Sequence, residues 1–262
     1  MARVNVLGVG VGAVSMAQAL HLIDGWVARR EPRYVCVTGV HGVMESRRDA
    51  ALRRVHNEAG LVTPDGMPLV WLARAAGHRH VERVYGPDLL LAACARAAEA
   101  TRHRHFFYGG APGVAERLTR RLAARFPALR VAGVHTPPYR ALTAEEDAAV
   151  ARAITDSGAD VVWVGLGTPK QERWMQAHVG RVGAPVLVGV GAAFDFLSGA
   201  KRQAPRWMQR SGLEWAFRLG SEPRRLWRRY LANNPRFVCE VALQATGVRR
   251  YPLPPADSGV WS

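Results

Sequence analysis

The chain has 262 residues, 48% apolar and 22% charged, which fits one large domain with or without a modest appendage and excludes a disordered chain. Its three cysteines, Cys36, Cys94 and Cys239, lie far apart with no C-x-x-C; this argues against a disulfide scaffold or structural zinc site and for a reducing, cytosolic compartment. With 36 Lys and Arg against 21 Asp and Glu, a net +15, the chain suits phosphorylated ligands, anionic lipid or nucleic acid.

Taken in chain order, strands are expected at 4–9, 33–37, 105–108, 129–134, 160–165 and 185–189, with a short addition at 61–63. Helical periodicity fills the intervals at 15–28, 43–56, 87–100, 112–125, 143–157 and 169–179. Thr143 followed by Glu146 reads as a capping box. Strand–helix alternation of this kind predicts an α/β fold: a Rossmann-like, mostly parallel sheet with helices on both faces. The N-terminus carries no signal-peptide pattern. The longest apolar stretch, 184–194, is broken by Pro185 and glycines and falls short of the ~20 residues of a spanning helix.

The pattern changes near residue 200. Two Arg/Trp-rich helical stretches are expected at 205–219 and 222–236, and residues 201–262 hold 12 basic against 4 acidic side chains. The division read from this is an α/β core at 1–200, a basic helical appendage at 201–248 and a loose Pro-rich tail at 249–262. At ~100° per residue, Arg224, Arg225, Arg228 and Arg229 share one arc of the second helix. Leu226, Trp227, Tyr230 and Leu231 share the other. Such a helix packs its apolar arc on a core, lies on anionic lipid, or does both.

Among candidate sites, Gly8-x-Gly10-x-Gly12 lacks the third glycine of a dinucleotide fingerprint, because Ala13 stands there, and reads as a strand-to-helix turn. The pairs His78/His80 and His103/His105 do not have metal-ligand spacing on a helix and are expected to be solvated or capping. There is no D-x-D, P-loop or G-x-S-x-G. Asp65, in Thr63-Pro64-Asp65-Gly66, sits on a tight turn after a strand, where a carboxylate serves as a general base or as an Asx-turn or helix cap. Gly165-Leu-Gly-Thr-Pro-Lys-Gln-Glu172 joins a strand to a helix in a manner suited to phosphate.

The ordered set Pro64-Asp65-Gly66, Tyr85-Gly-Pro-Asp-Leu-Leu90, Phe107-Tyr-Gly-Gly110, Gly167-Thr-Pro-Lys-Gln-Glu172 and Gly191-Ala-Ala-Phe-Asp-Phe196 continues with Ala204-Pro-Arg-Trp207, Gly212-Leu-Glu-Trp215 and Glu222-Pro-Arg-Arg-Leu226. It resembles the WecG/TagA/CpsF family of bacterial glycosyltransferases, of N-acetylmannosaminyltransferase type, over roughly 4–237. The resemblance implies a GT-E type fold with a C-terminal helical appendage that docks on the membrane and helps close the active site. It further implies inverting transfer of a sugar from a UDP-sugar to a polyprenyl-diphosphate-linked sugar, with no cofactor and no required metal. Asp65 is the implied catalytic base. Thr38, Gly167, Gln171, Arg218, Arg225 and Arg228 are the implied UDP-sugar-binding residues, with Arg224, Trp227 and Arg229 left for membrane docking. Many members carry Asn two residues after the Thr, whereas this chain reads Thr38-Gly39-Val40-His41. Either His41 takes over a polar contact, or it is structural and the loop is shaped differently.

The reaction expected is therefore that of a peripheral enzyme at the inner face of the cytoplasmic membrane, with Arg rather than metal facing the diphosphate. Net charge alone favours a rival, a non-catalytic nucleic-acid-binding module. No RRM, KH or zinc-finger pattern supports it, and no nucleic-acid partner is expected. A catalytically idle relative is a second rival, which release of UDP would exclude. The donor sugar and homo-oligomeric assembly are left open.

Overall fold

The structure is a computed structural model that describes residues 1–254. Along the chain it forms β1 (Arg3–Val6), β2 (Val9–Gly12), α1 (Met16–Ala28), β3 (Arg33–Thr38), α2 (Val40–Arg48), α3 (Ala50–Glu58), β4 (Leu61–Pro64) and α4 (Met67–Ala75). Then come α5 (Gly86–Arg96), which runs into a π-helical turn at 97–101, β5 (Arg104–Gly109), α6 (Val114–Arg125), β6 (Arg130–His135) and α7 (Ala144–Asp156). β7 (Val161–Gly165), α8 (Lys170–His178), β8 (Val186–Gly189) and α9 (Ala193–Leu197) follow, and three helices close the chain: α10 (Arg206–Arg210), α11 (Glu214–Ser221) and α12 (Pro223–Ala245).

Six strands form one sheet in the order β4-β3-β8-β7-β5-β6. The pairs β3·β8, β8·β7, β7·β5 and β5·β6 are parallel. This is the Rossmann-like α/β architecture expected, with helices around the sheet and further helices at the C-terminal end. The inner strands β7 and β8 read Val-Val-Trp-Val-Gly and Val-Leu-Val-Gly and are almost wholly buried, as a parallel sheet covered on both faces requires. At the end of the strand order, β6 exposes Arg130 and Val131.

The chain divides into two compact units, neither continuous in sequence: residues 1–15, 38–85 and those from 203 onward form the first, and 16–37 with 86–202 the second. In the second, Trp163, Phe107, Tyr108 and Phe194 are fully buried about the central strands. The Gly109 and Gly165 backbones approach so closely that a Cβ on Gly109 would lie 2.7 Å from the Gly165 carbonyl carbon. His105, expected to be solvated or capping, is buried on β5, an inner strand flanked by β7 and β6. Its Nδ1 accepts the Trp163 indole N–H at 2.8 Å. Burial lowers its pKa to about 3, so the ring stays neutral.

In the first unit the expected strand 4–9 is an antiparallel hairpin, β1·β2. Leu7 and Gly8 form its two-residue turn with φ of 53° and 87°, the positive pair that two-residue hairpins favour. The glycine spacing serves packing: a Cβ on Gly12 would lie 2.7 Å from Leu61 Cδ1. The helix expected over 43–56 is two helices broken at Asp49, whose side chain caps α3 by accepting the Leu52 N–H at 3.0 Å. α12 runs well past the expected 236 and carries Pro235 inside it. Its far end packs inward: Glu240 is buried, with Arg47 at 2.7 Å, Arg236 at 2.8 Å and the Tyr251 hydroxyl donating at 3.2 Å. Of the tail, Tyr251 is buried, while 255–262 lie outside the described residues.

Candidate active site

Every residue marked for chemistry in the first 200 stands at or just after the carboxyl end of a strand, where α/β sheets bind their ligands, or on the helix that follows. Thr38 ends β3, Asp65 follows β4, and Gly167 and Gln171 follow β7. His41 stands in the first turn of α2.

Asp65 is fixed by its backbone. Its N–H donates to the Thr38 carbonyl at 3.0 Å, and its own carbonyl accepts the Arg83 Nε–H. Gly66 is the N-cap of α4 and supplies no side-chain cap, so the helix starts without a carboxylate at its cap position. The Asp65 side chain keeps 30% of its surface exposed. Arg83 stands beside it, with one terminal nitrogen 3.9 Å from Asp65 Oδ1 and 2.5 Å from Glu214 Oε2 on α11. The guanidinium lies 4.0 Å over the Tyr85 ring, and the Tyr85 hydroxyl donates to Glu214 Oε1 at 3.0 Å. Burial opposes the Arg83 charge, but the Asp65 and Glu214 carboxylates outweigh it and hold its pKa above the usual value. Burial, then Glu214 and Asp65, push the Tyr85 hydroxyl up, so it remains a donor.

Thr38 is buried, and its hydroxyl meets His56 Nε2 at 3.1 Å. His56 Nδ1 faces Ser46 Oγ at 3.0 Å and the Leu52 carbonyl at 3.1 Å. A carbonyl only accepts, so Nδ1 bears the proton, and Nε2 accepts from the Thr38 hydroxyl.

His41 belongs to a different cluster. Arg48 donates to Asn233 Oδ1 at 2.6 Å, which turns the Asn233 amide nitrogen toward His41 Nδ1 at 3.4 Å. Nδ1 therefore accepts, and Nε2 carries the proton. Burial first, then Arg229, Arg48 and Arg218, lower the His41 pKa to about 3. Arg229 turns inward, away from the solvent-facing arc on which the helical wheel set it. Burial, with Arg218 and Arg225 beside it, brings its pKa down to about 10, and its Nε is buried with no hydrogen-bond partner. The wheel failed at Arg229 because one side of α12 meets α2 and α11, so part of the basic arc is covered. Arg224, Arg225, Arg228 and Trp227 stay exposed. Arg225 pairs with Glu222 at 2.7 Å, and Arg228 lies 5.2 Å over the Trp227 ring.

Gly167 and Gln171 lie in the second unit. Gly167 has φ +75°, and a Cβ there would meet nothing within 4 Å. Gln171 is buried, and its Oε1 accepts from the Gly167 N–H at 3.2 Å and the Gly191 N–H at 2.9 Å. Its Nε2 donates to Glu172 Oε1 at 3.1 Å, which also accepts from the Thr168 hydroxyl at 2.7 Å. Gln171 thus clips two glycine turns together.

Sequence reasoning missed Arg83, His56 and Asn233 as site components and held Glu172 only as the end of the Gly167–Glu172 motif. Tyr85 and Glu214 were in view only as parts of motifs. Among the described residues no three His, Cys, Asp or Glu side chains are grouped to hold a metal ion, and no helix is long and apolar enough to cross a membrane.

The family comparison spans these residues. The sequence model of the glycosyl transferase WecG/TagA/CpsF family matches residues 4–251. A Bacillus spizizenii protein named N-acetylglucosaminyldiphosphoundecaprenol N-acetyl-beta-D-mannosaminyltransferase is 29% identical over 84% of this chain and 83% of its own. Proteins of the same name from Bacillus subtilis and Staphylococcus aureus are 29% identical over 78% of this chain and 77% of their own, and 26% identical over 92% of each.

Proposed function

The chain belongs to the glycosyl transferase WecG/TagA/CpsF family, and from that premise we propose that it moves a sugar of N-acetylmannosamine type, or a related hexose, from a UDP-sugar to a polyprenyl-diphosphate-linked sugar. That the chain is a glycosyltransferase follows from the family and from relatives named as N-acetylmannosaminyltransferases. The acceptor follows their name, N-acetylglucosaminyldiphosphoundecaprenol, and the product would serve cell-wall, capsule or exopolysaccharide synthesis.

The observation that carries the mechanism is the Asp65 carboxylate, partly exposed at a strand end on a backbone held by Thr38 and Arg83. In the proposed reaction Asp65 takes the proton of the acceptor hydroxyl as its oxygen attacks the anomeric carbon, inverting it, and UDP leaves. The departing diphosphate gathers negative charge, which Arg218, Arg225 and Arg228 receive without a metal, with Arg229 behind them. A buried arginine with like charges as neighbours supports this, since an anion relieves exactly that repulsion. Thr38 and His41 contribute sugar contacts. The exposed Arg224, Arg225, Arg228 and Trp227 on α12 suit a peripheral position on the inner face of the cytoplasmic membrane, where the lipid acceptor lies.

The test is UDP release from a panel of UDP-sugars with short-chain polyprenyl-diphosphate acceptors. Asp65→Asn should keep UDP binding and lose roughly 10²–10⁴-fold in turnover; near-wild-type turnover overturns the assignment. Turnover should survive EDTA, and loss on chelation that Mg²⁺ or Mn²⁺ restores would reassign the leaving-group chemistry.

A further inference from the structure

The Arg83 guanidinium stands between two carboxylates and nearer the one that is not on the catalytic turn: 2.5 Å from Glu214 and 3.9 Å from Asp65. Its Nε is tied to the Asp65 carbonyl, so the group cannot drift away. Loss of the Glu214 contact leaves it one carboxylate to turn to. Glu214 is itself held by the Tyr85 hydroxyl on its other oxygen. Around Asp65 within this unit, Thr38 and Gly39 after β3 and Gly66 at α4 are uncharged. The 83–85 segment brings Arg83 and Tyr85, and α11 brings Glu214.

We propose that Glu214 is a positioning residue for the transfer: it withholds the Arg83 guanidinium from the Asp65 carboxylate and so keeps that carboxylate basic enough to take the acceptor proton. The inference rests on the reading of Asp65 as the base. Arg83 already pairs loosely with Asp65, at 3.9 Å; closing that pair would favour the ionised carboxylate further and weaken it as a proton acceptor. A second anion close by works the other way. Glu214 supplies that anion from the helices beyond residue 203, so these helices also act on the chemistry through Arg83.

The experiment compares pH–rate profiles of the full-length protein and its Glu214→Gln, Glu214→Asp, Arg83→Gln and Asp65→Asn variants, with kcat and KM for both substrates. Glu214→Gln should move the acid limb of kcat down by about one pH unit. It should lower the plateau about tenfold, with KM changed less than about threefold. Glu214→Asp keeps the charge and should keep the acid limb in place. In an Arg83→Gln background, Glu214→Gln should add little, because the group it acts through is gone. A Glu214→Gln acid limb unmoved from wild type, or additive losses in the double variant, overturns the inference even if Asp65→Asn is inactive. A fully active Asp65→Asn instead overturns the reading of the base.

Discussion

Arg229 is the residue whose energetics and use are most opposed. Its guanidinium is largely withdrawn from water, its Nε has no hydrogen-bond partner, and Arg218 and Arg225 lie near it. A buried cation in that setting costs stability, and an apolar side chain of similar length does not. Arg229→Met should therefore raise the stability of the protein by about 1–3 kcal/mol in urea denaturation while lowering turnover by at least about tenfold. Higher turnover, or lower stability, would show that the cluster is a scaffold. The residues legible in the sequence were those inside compact motifs, such as Asp65 in Pro64-Asp65-Gly66 and Gln171 after Gly167. Those missed depend on partners far along the chain. Arg83 gains meaning only beside Glu214, 131 positions later, and Asn233 only beside His41, 192 positions earlier.

α12 joins two kinds of surface in one helix. Its first turns display Arg224, Arg225, Trp227 and Arg228 to solvent, while Leu226, Tyr230, Asn233, Phe237 and Glu240 are buried. The single buried anion in that set, Glu240, has its carboxyl pKa held at about 2 against the penalty of burial by Arg47, Arg236 and Tyr251. Removing it strands Arg47, so Glu240→Ala should cost about 2–4 kcal/mol in chemical denaturation. Glu240→Gln should cost less, because the amide oxygen still accepts. The basic face of this helix was legible from its periodicity. Its length was not, because Asn233-Asn234-Pro235 resembles an ending. The N-terminal hairpin was hidden for the opposite reason: Leu7 at positive φ is a rare turn residue, and the run from Val4 to Val9 looks like one continuous strand.

For the molecule as a whole, half-buried His41 and buried His105 add to the acid sensitivity. His41 and His105 both have folded pKa values near 3, below the ordinary value of 6.5. The unfolded chain therefore binds protons that the folded one refuses, and stability falls as pH drops from about 6.5 toward 3. Two such groups give a slope of up to ~2.7 kcal/mol per pH unit in that window. His41→Asn should reduce it by about half in denaturation curves at pH 4 and 7; an unchanged slope would place the protons elsewhere. A different consequence follows from the contacts at the chain's two ends. The Leu7 N–H donates to the Gln244 side chain at 2.9 Å, Gln244 donates to the Asn5 carbonyl at 3.0 Å, and Asn5 donates to the Tyr251 carbonyl at 2.7 Å. On the ribosome, where chains grow at ~5–20 residues per second, the hairpin turn must wait on the order of ten seconds or more for those partners. Asp65 is made early and Glu214 late, so the Arg83–Glu214 pair beside Asp65 closes only once α11 has been synthesised. The hairpin at the start of the chain is thus closed by Gln244 and Tyr251, and the surroundings of Asp65 reach their final form late in synthesis.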